Sequence, residues 1–182
     1  MLEHIKAHSM AVSRVAQLLV RSLNDTGHHL SREITVAASL LHDIGKTESL
    51  ETGQDHAELG RQICLRHGLE EISELVGEHV RLRNRNSRDR CSEKEIVYYA
   101  DKRVNHDRIV SLDDRLKYIL DRYGRNQEWI HRRIRENFEF CRRVEEKLFA
   151  GLSFGPESVP DLAKVETLPD VGPVSAGYGR FS

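Results

Sequence analysis

Apolar residues recur at helical spacing along most of the chain and divide into segments bounded by helix-starting and helix-ending residues. In the first segment, Ile5, Val12, Val15 and Leu19 fall on one face. No alternating pattern long enough for a β-strand competes with these segments. The sequence therefore predicts an all-α bundle of about seven helices, over residues 2–23, 32–43, 55–68, 70–81, 92–106, 111–124 and 126–150.

The ends of the predicted helices carry local signals of their own. Ser92 and Glu95 have the spacing of a capping box at the start of the fifth helix. Gly45, just past the second helix, suits the left-handed conformation in which many helices end. We therefore expect a helix stop at Gly45.

The chain changes character near residue 150. Residues 1–155 contain no proline, whereas residues 151–182 hold five glycines and four prolines and show little periodicity. The sequence thus predicts one helical domain over residues 1–150, followed by an extended or disordered C-terminal tail over residues 151–182.

Composition narrows the classes of function. Lys and Arg (28) nearly balance Asp and Glu (29), which argues against a polybasic nucleic-acid-binding surface. The three cysteines lie far apart with no C-x-x-C pair, and no apolar run reaches the roughly 20 residues of a membrane span. We therefore expect a cytoplasmic protein with reduced thiols and no membrane partner.

Ten histidines in 182 residues are the exception to this ordinary composition. Several predicted helices place a histidine or an aspartate on the apolar face, where a polar side chain is costly unless it is paired or metal-bound. These inward residues are His8, His42, Asp43, His56, His79 and Asp101. Any one of them alone could be a hydrogen-bonded core residue, and His4 is an alternative to His8. Together, however, their types favour a metal centre.

The segment Leu40-Leu41-His42-Asp43-Ile44-Gly45-Lys46 resembles the HD-domain superfamily of metal-dependent phosphohydrolases. The resemblance extends over about residues 4–104, with His8 upstream and Tyr99-Ala100-Asp101 downstream of the His-Asp pair. His56 and His79 resemble the additional histidines of the branch that binds two metals, which includes symmetrical dinucleoside tetraphosphatases.

The resemblance implies one metal held by His8, His42, Asp43 and Asp101. It implies a second held by His56, His79 and a bridging Asp43. One or two divalent ions per chain are expected, and nitrogen and oxygen ligands without thiolate suit Fe, Mn, Co, Ni, Zn or Mg. Asp43 and Lys46 are the expected catalytic residues, and metal-activated water is the expected nucleophile.

A phosphohydrolase also needs groups that bind its substrate. Lys46 could contact phosphate, although a cation at a helix end is also explained by the helix dipole. Residues 81–90 carry five arginines and one aspartate, and Arg81 and Arg83 are the candidates nearest the predicted site. The alternative for these arginines is a solvated loop. The expected partner is a small phosphorylated or nucleotide-like molecule.

Two other functions remain open at this stage. A catalytically silent HD module could bind a nucleotide or a partner without turnover, although such a module would be expected to lose metal ligands. A helical nucleic-acid-binding protein could use residues 81–90 and the arginines of the seventh helix, whose glutamates reduce the local positive charge. The apolar line of that helix most simply packs on the body, with a homodimer interface as the alternative.

Overall fold

The computed structural model describes residues 1–84, 90–124 and 127–166, and within them the all-α prediction is confirmed. Nine α-helices and a minimal hairpin are present in these ranges. They are α1 (Glu3–Asp25), α2 (Arg32–Leu41), α3 (Lys46–Thr52), α4 (His56–Arg66), α5 (Glu70–Glu78), α6 (Glu93–Lys102), β1 (Val104–Asn105), β2 (Arg108–Ile109), α7 (Leu112–Tyr123), α8 (Glu128–Phe149) and α9 (Val159–Leu162). Single 3-10 turns precede and follow α9, at Pro156–Ser158 and Ala163–Val165.

Helix α6 lies between two apolar clusters and is buried on nearly every side. Its Ile96 and Tyr99 belong to a large cluster with α1 and α8, whereas Val97 packs in a smaller cluster with α2, α4 and α5. The capping box predicted for Ser92 and Glu95 is present at its start. Because packing on both sides fixes α6, the residues at its C-terminal end have a well-defined position.

The segment after α2 differs from the expectation. Gly45 has φ −77°, so the predicted left-handed conformation is wrong, although α2 does end before it, at Leu41. The chain then continues through a turn into α3. A side chain at Gly45 would lie 2.4 Å from the carbonyl oxygen of His56 and 2.5 Å from the nitrogen of Gly60. Glycine is therefore needed for close backbone approach. Helix α3 was missed because none of its residues is buried, which leaves no apolar stripe to detect.

The predicted fifth helix is shorter than expected and ends in a hairpin. Val104 pairs with Ile109 and Asn105 with Arg108, and His106 occupies the turn with φ 55°. Val104 is fully buried, as the helical pattern suggested, but it belongs to β1. The hairpin brings the backbone of His106 back towards α1.

The first half of the predicted tail packs on the body. Val159 and Ala163 are fully buried, and the carboxylate of Glu166 accepts hydrogen bonds from Gln17 (2.9 Å) and Arg21 (2.5 Å) of α1. Pro156 and Pro160 stand in the first turns of short helices, a position in which proline favours the helix. Residues 167–182 of the predicted tail lie outside the described residues.

Helix α8 packs its apolar line on the body, as predicted. Phe138, Cys141, Val144 and Leu148 are buried against α6 and its neighbours. Over the described ranges, no helix combines the length and the apolar character required to cross a membrane.

Candidate metal centre

The structure brings all six predicted side chains together, in two groups. In the first group, Nε2 of His8 lies 3.1 Å from Oδ1 of Asp101, and Nε2 of His42 lies 3.6 Å from Oδ2 of Asp43. The same His42 nitrogen is 3.7 Å from Oδ1 of Asp101. These atoms come from α1, the turn after α2, and α6. The spacing of His8, His42 and Asp43 allows one small cation between them, and Oδ1 of Asp101 lies beside the two histidine nitrogens.

The second group adjoins the first through Asp43. Oδ1 of Asp43 is 3.4 Å from Nε2 of His56 and 3.6 Å from Nε2 of His79, and the two histidine nitrogens are 3.2 Å apart. Oδ2 of the same carboxylate faces His8 and His42. Asp43 thus presents one oxygen to each group and could contribute a ligand to both.

Three of the imidazoles are oriented by backbone carbonyls. Nδ1–H of His8 donates to the oxygen of His106 (2.7 Å), that of His42 to Ser39 (2.7 Å), and that of His79 to Val76 (2.6 Å). A carbonyl only accepts, so Nδ1 carries the proton and the Nε2 lone pair points into the centre. The role of the His106 carbonyl was not predicted, because a backbone contact leaves no residue-type signal.

These side chains fit a divalent metal. Nε2 of His42 is fully buried and has no hydrogen-bond partner among the described residues. A buried lone pair without a partner is costly, and a cation between the four side chains would satisfy it. The donors are imidazole nitrogens and carboxylate oxygens without thiolate, which suits the first-row transition metals and Mg²⁺.

The electrostatics keep the ligands in their metal-binding forms. Burial lowers the pKa of His42 to about 4, and burial together with the charge of His79 lowers that of His56 to about 4. Burial alone would raise the pKa of Asp101, but the adjacent imidazole of His8 and the charges of Lys102 and Arg115 outweigh it and hold the pKa well below the usual value. Neutral imidazoles beside ionised carboxylates are the forms that bind metal.

We predict that the metal-free protein loses stability as the pH falls from 6.5 to 4. An unfolded His42 takes up a proton near its ordinary pKa of 6.5, whereas the folded protein keeps it neutral down to about pH 4, so protons favour unfolding in this window. The pKa difference corresponds to on the order of 3 kcal/mol for His42. Urea unfolding of EDTA-treated protein across this pH range measures it. His42→Gln should make the profile shallower, with the contribution of His56 remaining, and an unchanged profile would contradict the assignment.

A cavity of about 400 Å³ opens beside the second group. Lys46, Lys102 and Arg115 bring three cations to it. Nζ of Lys46 donates to Oδ2 of Asp43 (2.9 Å), Nζ of Lys102 donates to the His79 carbonyl (2.9 Å), and Nη2 of Arg115 is 3.8 Å from Oδ1 of Asp101. Lys46 was predicted, whereas Lys102 and Arg115 were missed, because cations on charged helices are usually solvated.

The predicted arginines Arg81 and Arg83 do not line this cavity. The guanidinium of Arg83 pairs with Glu74 at 2.9 Å, and Arg81 lies in an adjacent cleft. The expectation that Arg81 and Arg83 are the arginines nearest the site is therefore wrong for this cavity. The arginine that lines it is Arg115 of α7. Residues 85–89 of the arginine-rich segment lie outside the described residues.

The choice of His8 over His4 agrees with the geometry. His4 is exposed and belongs to neither group, although it lines a recess together with His8 and Asp43.

The fold and the paired His and Asp groups define a helical metal-binding domain of the HD type. Residues 5–106 match the HD domain family, so the chain belongs to this family, whose members are generally metal-dependent hydrolases that bind divalent metals. The match begins at α1 and ends in the hairpin, and it therefore includes every residue of the two groups.

The relatives are of two kinds. An uncharacterised protein of Methanocaldococcus jannaschii is 27% identical over 150 residues, which is 75% of this chain and 88% of that protein. Ribonuclease Y of Helicobacter pylori is 37% identical over 60 residues, which is 33% of this chain and only 10% of the ribonuclease. No solved structure gave a significant match.

Proposed function

We propose that the chain is a metal-dependent phosphohydrolase that cleaves a phosphate ester or anhydride of a nucleotide-like substrate. The observation that carries the proposal is the position of Asp43. Its two oxygens face two histidine groups at the wall of a cavity that also holds Lys46 and Arg115. Cations beside a metal centre suit a substrate with phosphate oxygens.

The six ligands would hold one or two divalent ions, His8, His42 and Asp101 on one side of Asp43 and His56 and His79 on the other. Metal ions in such sites lower the pKa of bound water and polarise a phosphoryl oxygen. Lys46 can reach a substrate phosphate because its side chain is 37% exposed, and its ion pair with Asp43 holds the ammonium group beside the metal centre.

The other two cations act from fixed positions. Nε of Arg115 is buried with no hydrogen-bond partner among the described residues, while its Nη1 donates to Asn105 (2.9 Å). This anchoring leaves the guanidinium able to donate to a phosphate in the cavity. Lys102 is buried 3.6 Å from Asp101, and its charge helps to keep that carboxylate ionised.

Part of the cavity wall is apolar. Ile119 and Tyr123 of α7 and Ile134 and Phe138 of α8 contribute to it. A wall of this kind binds the planar, partly apolar part of a ligand, while the cations and metal ligands bind its phosphate. This division supports a nucleotide-like substrate over a simple phosphate ester.

The proposal is tested with purified protein supplied with Mn²⁺, Co²⁺, Ni²⁺, Fe²⁺ or Mg²⁺. The substrate panel contains mononucleotides, symmetrical dinucleoside tetraphosphates and, because of the ribonuclease Y match, short RNA. We expect metal-dependent release of phosphate or nucleotide from at least one of them. Absence of both bound metal and turnover across the whole panel would refute the proposal.

Arg115→Ala should raise KM about tenfold or more for the substrate that is turned over, since a charge-assisted bond to phosphate is worth roughly 1.5–3 kcal/mol. Steady-state kinetics measures the change. Arg135→Ala, at an exposed position of α8 outside this cavity, is the control and should leave KM unchanged. Equal effects of the two substitutions would argue against phosphate binding by Arg115.

A further inference from the structure

A second cleft continues the cavity of the metal centre along α8. It has a volume of about 320 Å³, and we call it the Trp129 cleft. It is lined by Val80, Arg81, Trp129, Ile130, Arg133, Ile134, Glu136 and Asn137. Val80, Ile134 and Asn137 line both spaces, so the cleft and the cavity are adjacent and share a wall.

The cleft presents an aromatic surface to solvent. Trp129 is 57% exposed in the first turn of α8, and the guanidinium carbon of Arg133, one turn later, is 6.0 Å from its ring centroid. Val80, which is 39% exposed, lies in the same cleft as Trp129, and contiguous exposed apolar surface of this kind marks a place where a ligand can bind. A base stacked on such a ring contributes roughly 1–3 kcal/mol.

The charges of the cleft suit phosphate. Arg81 and Arg133 supply two cations against the single carboxylate of Glu136. Over the described ranges, neither of these arginines forms an ion pair, in contrast to Arg83, which pairs with Glu74. Guanidinium groups that are not engaged by carboxylates remain available to phosphate oxygens.

We propose that the Trp129 cleft binds the second nucleotide unit of a substrate at least two nucleotides long, whose scissile phosphate lies at the metal centre. The base of this unit stacks on Trp129, and its phosphate contacts Arg81 and Arg133. This inference rests on the proposed function, and it adds substrate length to it. Dinucleoside polyphosphates and short single-stranded oligonucleotides share this chemistry, and a mononucleotide lacks the second unit.

Binding can be measured separately from turnover, because Trp129 is the only tryptophan of the chain. The metal-loaded protein is titrated with a methylene-bridged dinucleoside tetraphosphate, a phosphorothioate dinucleotide and a mononucleotide. We expect saturable quenching of tryptophan fluorescence by one or both of the longer ligands, and much weaker quenching by the mononucleotide. The longer ligand that quenches the fluorescence shows whether the second nucleotide unit belongs to a dinucleoside polyphosphate or to an oligonucleotide. Equal quenching by all three ligands, or quenching by none, would overturn the proposal.

Kinetics on the cleavable forms of the same molecules supplies the second readout. Trp129→Ala should raise KM about five- to hundredfold for the two-nucleotide substrate and change mononucleotide hydrolysis less than twofold. Trp129→Phe, which keeps a ring, should recover most of the loss, and Arg135→Ala outside the cleft should have no effect. Equal KM changes on both substrate lengths would overturn the subsite and leave the phosphohydrolase standing. Quenching by a longer ligand without turnover of any substrate would support the subsite and refute the phosphohydrolase proposal.

Discussion

Asp43→Ala is expected to remove bound metal and hydrolytic activity together. Asp43 is the only carboxylate common to both ligand groups among the described residues, with Oδ2 facing His8 and His42 and Oδ1 facing His56 and His79. Its loss leaves only His56 and His79 in the second group and removes from the first group the carboxylate, and the negative charge, that the two groups share. We expect metal content near zero and activity lower by on the order of 10³-fold or more, equivalent to about 4 kcal/mol of transition-state stabilisation. Elemental analysis and initial rates on one sample measure both.

Two further variants make this experiment decisive. Asp25→Ala, at the exposed end of α1, is the matched control and should keep metal and activity. Asp43→Asn retains the shape of the side chain without its charge, which separates the loss of a ligand from a packing defect. Circular dichroism of each variant verifies the fold. Full metal content in folded Asp43→Ala would disprove the shared-ligand assignment.

Much of the centre could be predicted because its ligands contradict the pattern around them. His8 and His79 stand on apolar faces, where sequence favours leucine or valine, and Asp101 stands on the buried face of α6. Such residues can be recognised from the sequence alone, because burial of a polar group is costly unless a partner or a metal ion compensates it. The structure brings these residues together across long separations in the chain.

Of the cations that line the cavity, Lys46 could be predicted from its place in the motif, but Arg115 could not. The sequence favours Arg83, because it follows His79 closely in the chain, whereas Arg115 lies further from every predicted ligand. The difference lies in the tertiary structure, because Arg83 pairs with Glu74 on α5, whereas α7 places Arg115 at the cavity.

The hairpin could not be predicted because the helical pattern continued to Val104. A buried apolar residue contributes the same signal in a helix and in a short strand.

The turn that carries Asp43 depends on two backbones in close approach, and Gly45→Ala tests that dependence. The added methyl group would lie 2.4 Å from the oxygen of His56, 2.5 Å from the nitrogen of Gly60 and 2.9 Å from Cβ of Leu59. Two of these three atoms belong to the backbone, so no side-chain rotation relieves the clash, and α4 must move away from the turn. We expect a loss of about 3 kcal/mol in the free energy of unfolding, the upper part of the range for overpacked cores.

The same displacement should act selectively on the metal centre. His56 begins α4, so it moves away from Asp43, whereas His8, His42 and Asp101 lie on other elements and keep their positions. Gly45→Ala should therefore weaken the ion held by His56 and His79 more than the one held by His8, His42 and Asp101. Urea unfolding and metal titration measure the two effects. Gly151→Ala, where nothing lies within 4 Å of the added methyl group, is the control and should change neither. Unchanged stability, or equal weakening of both ions, would show that α4 is not held in place by this contact.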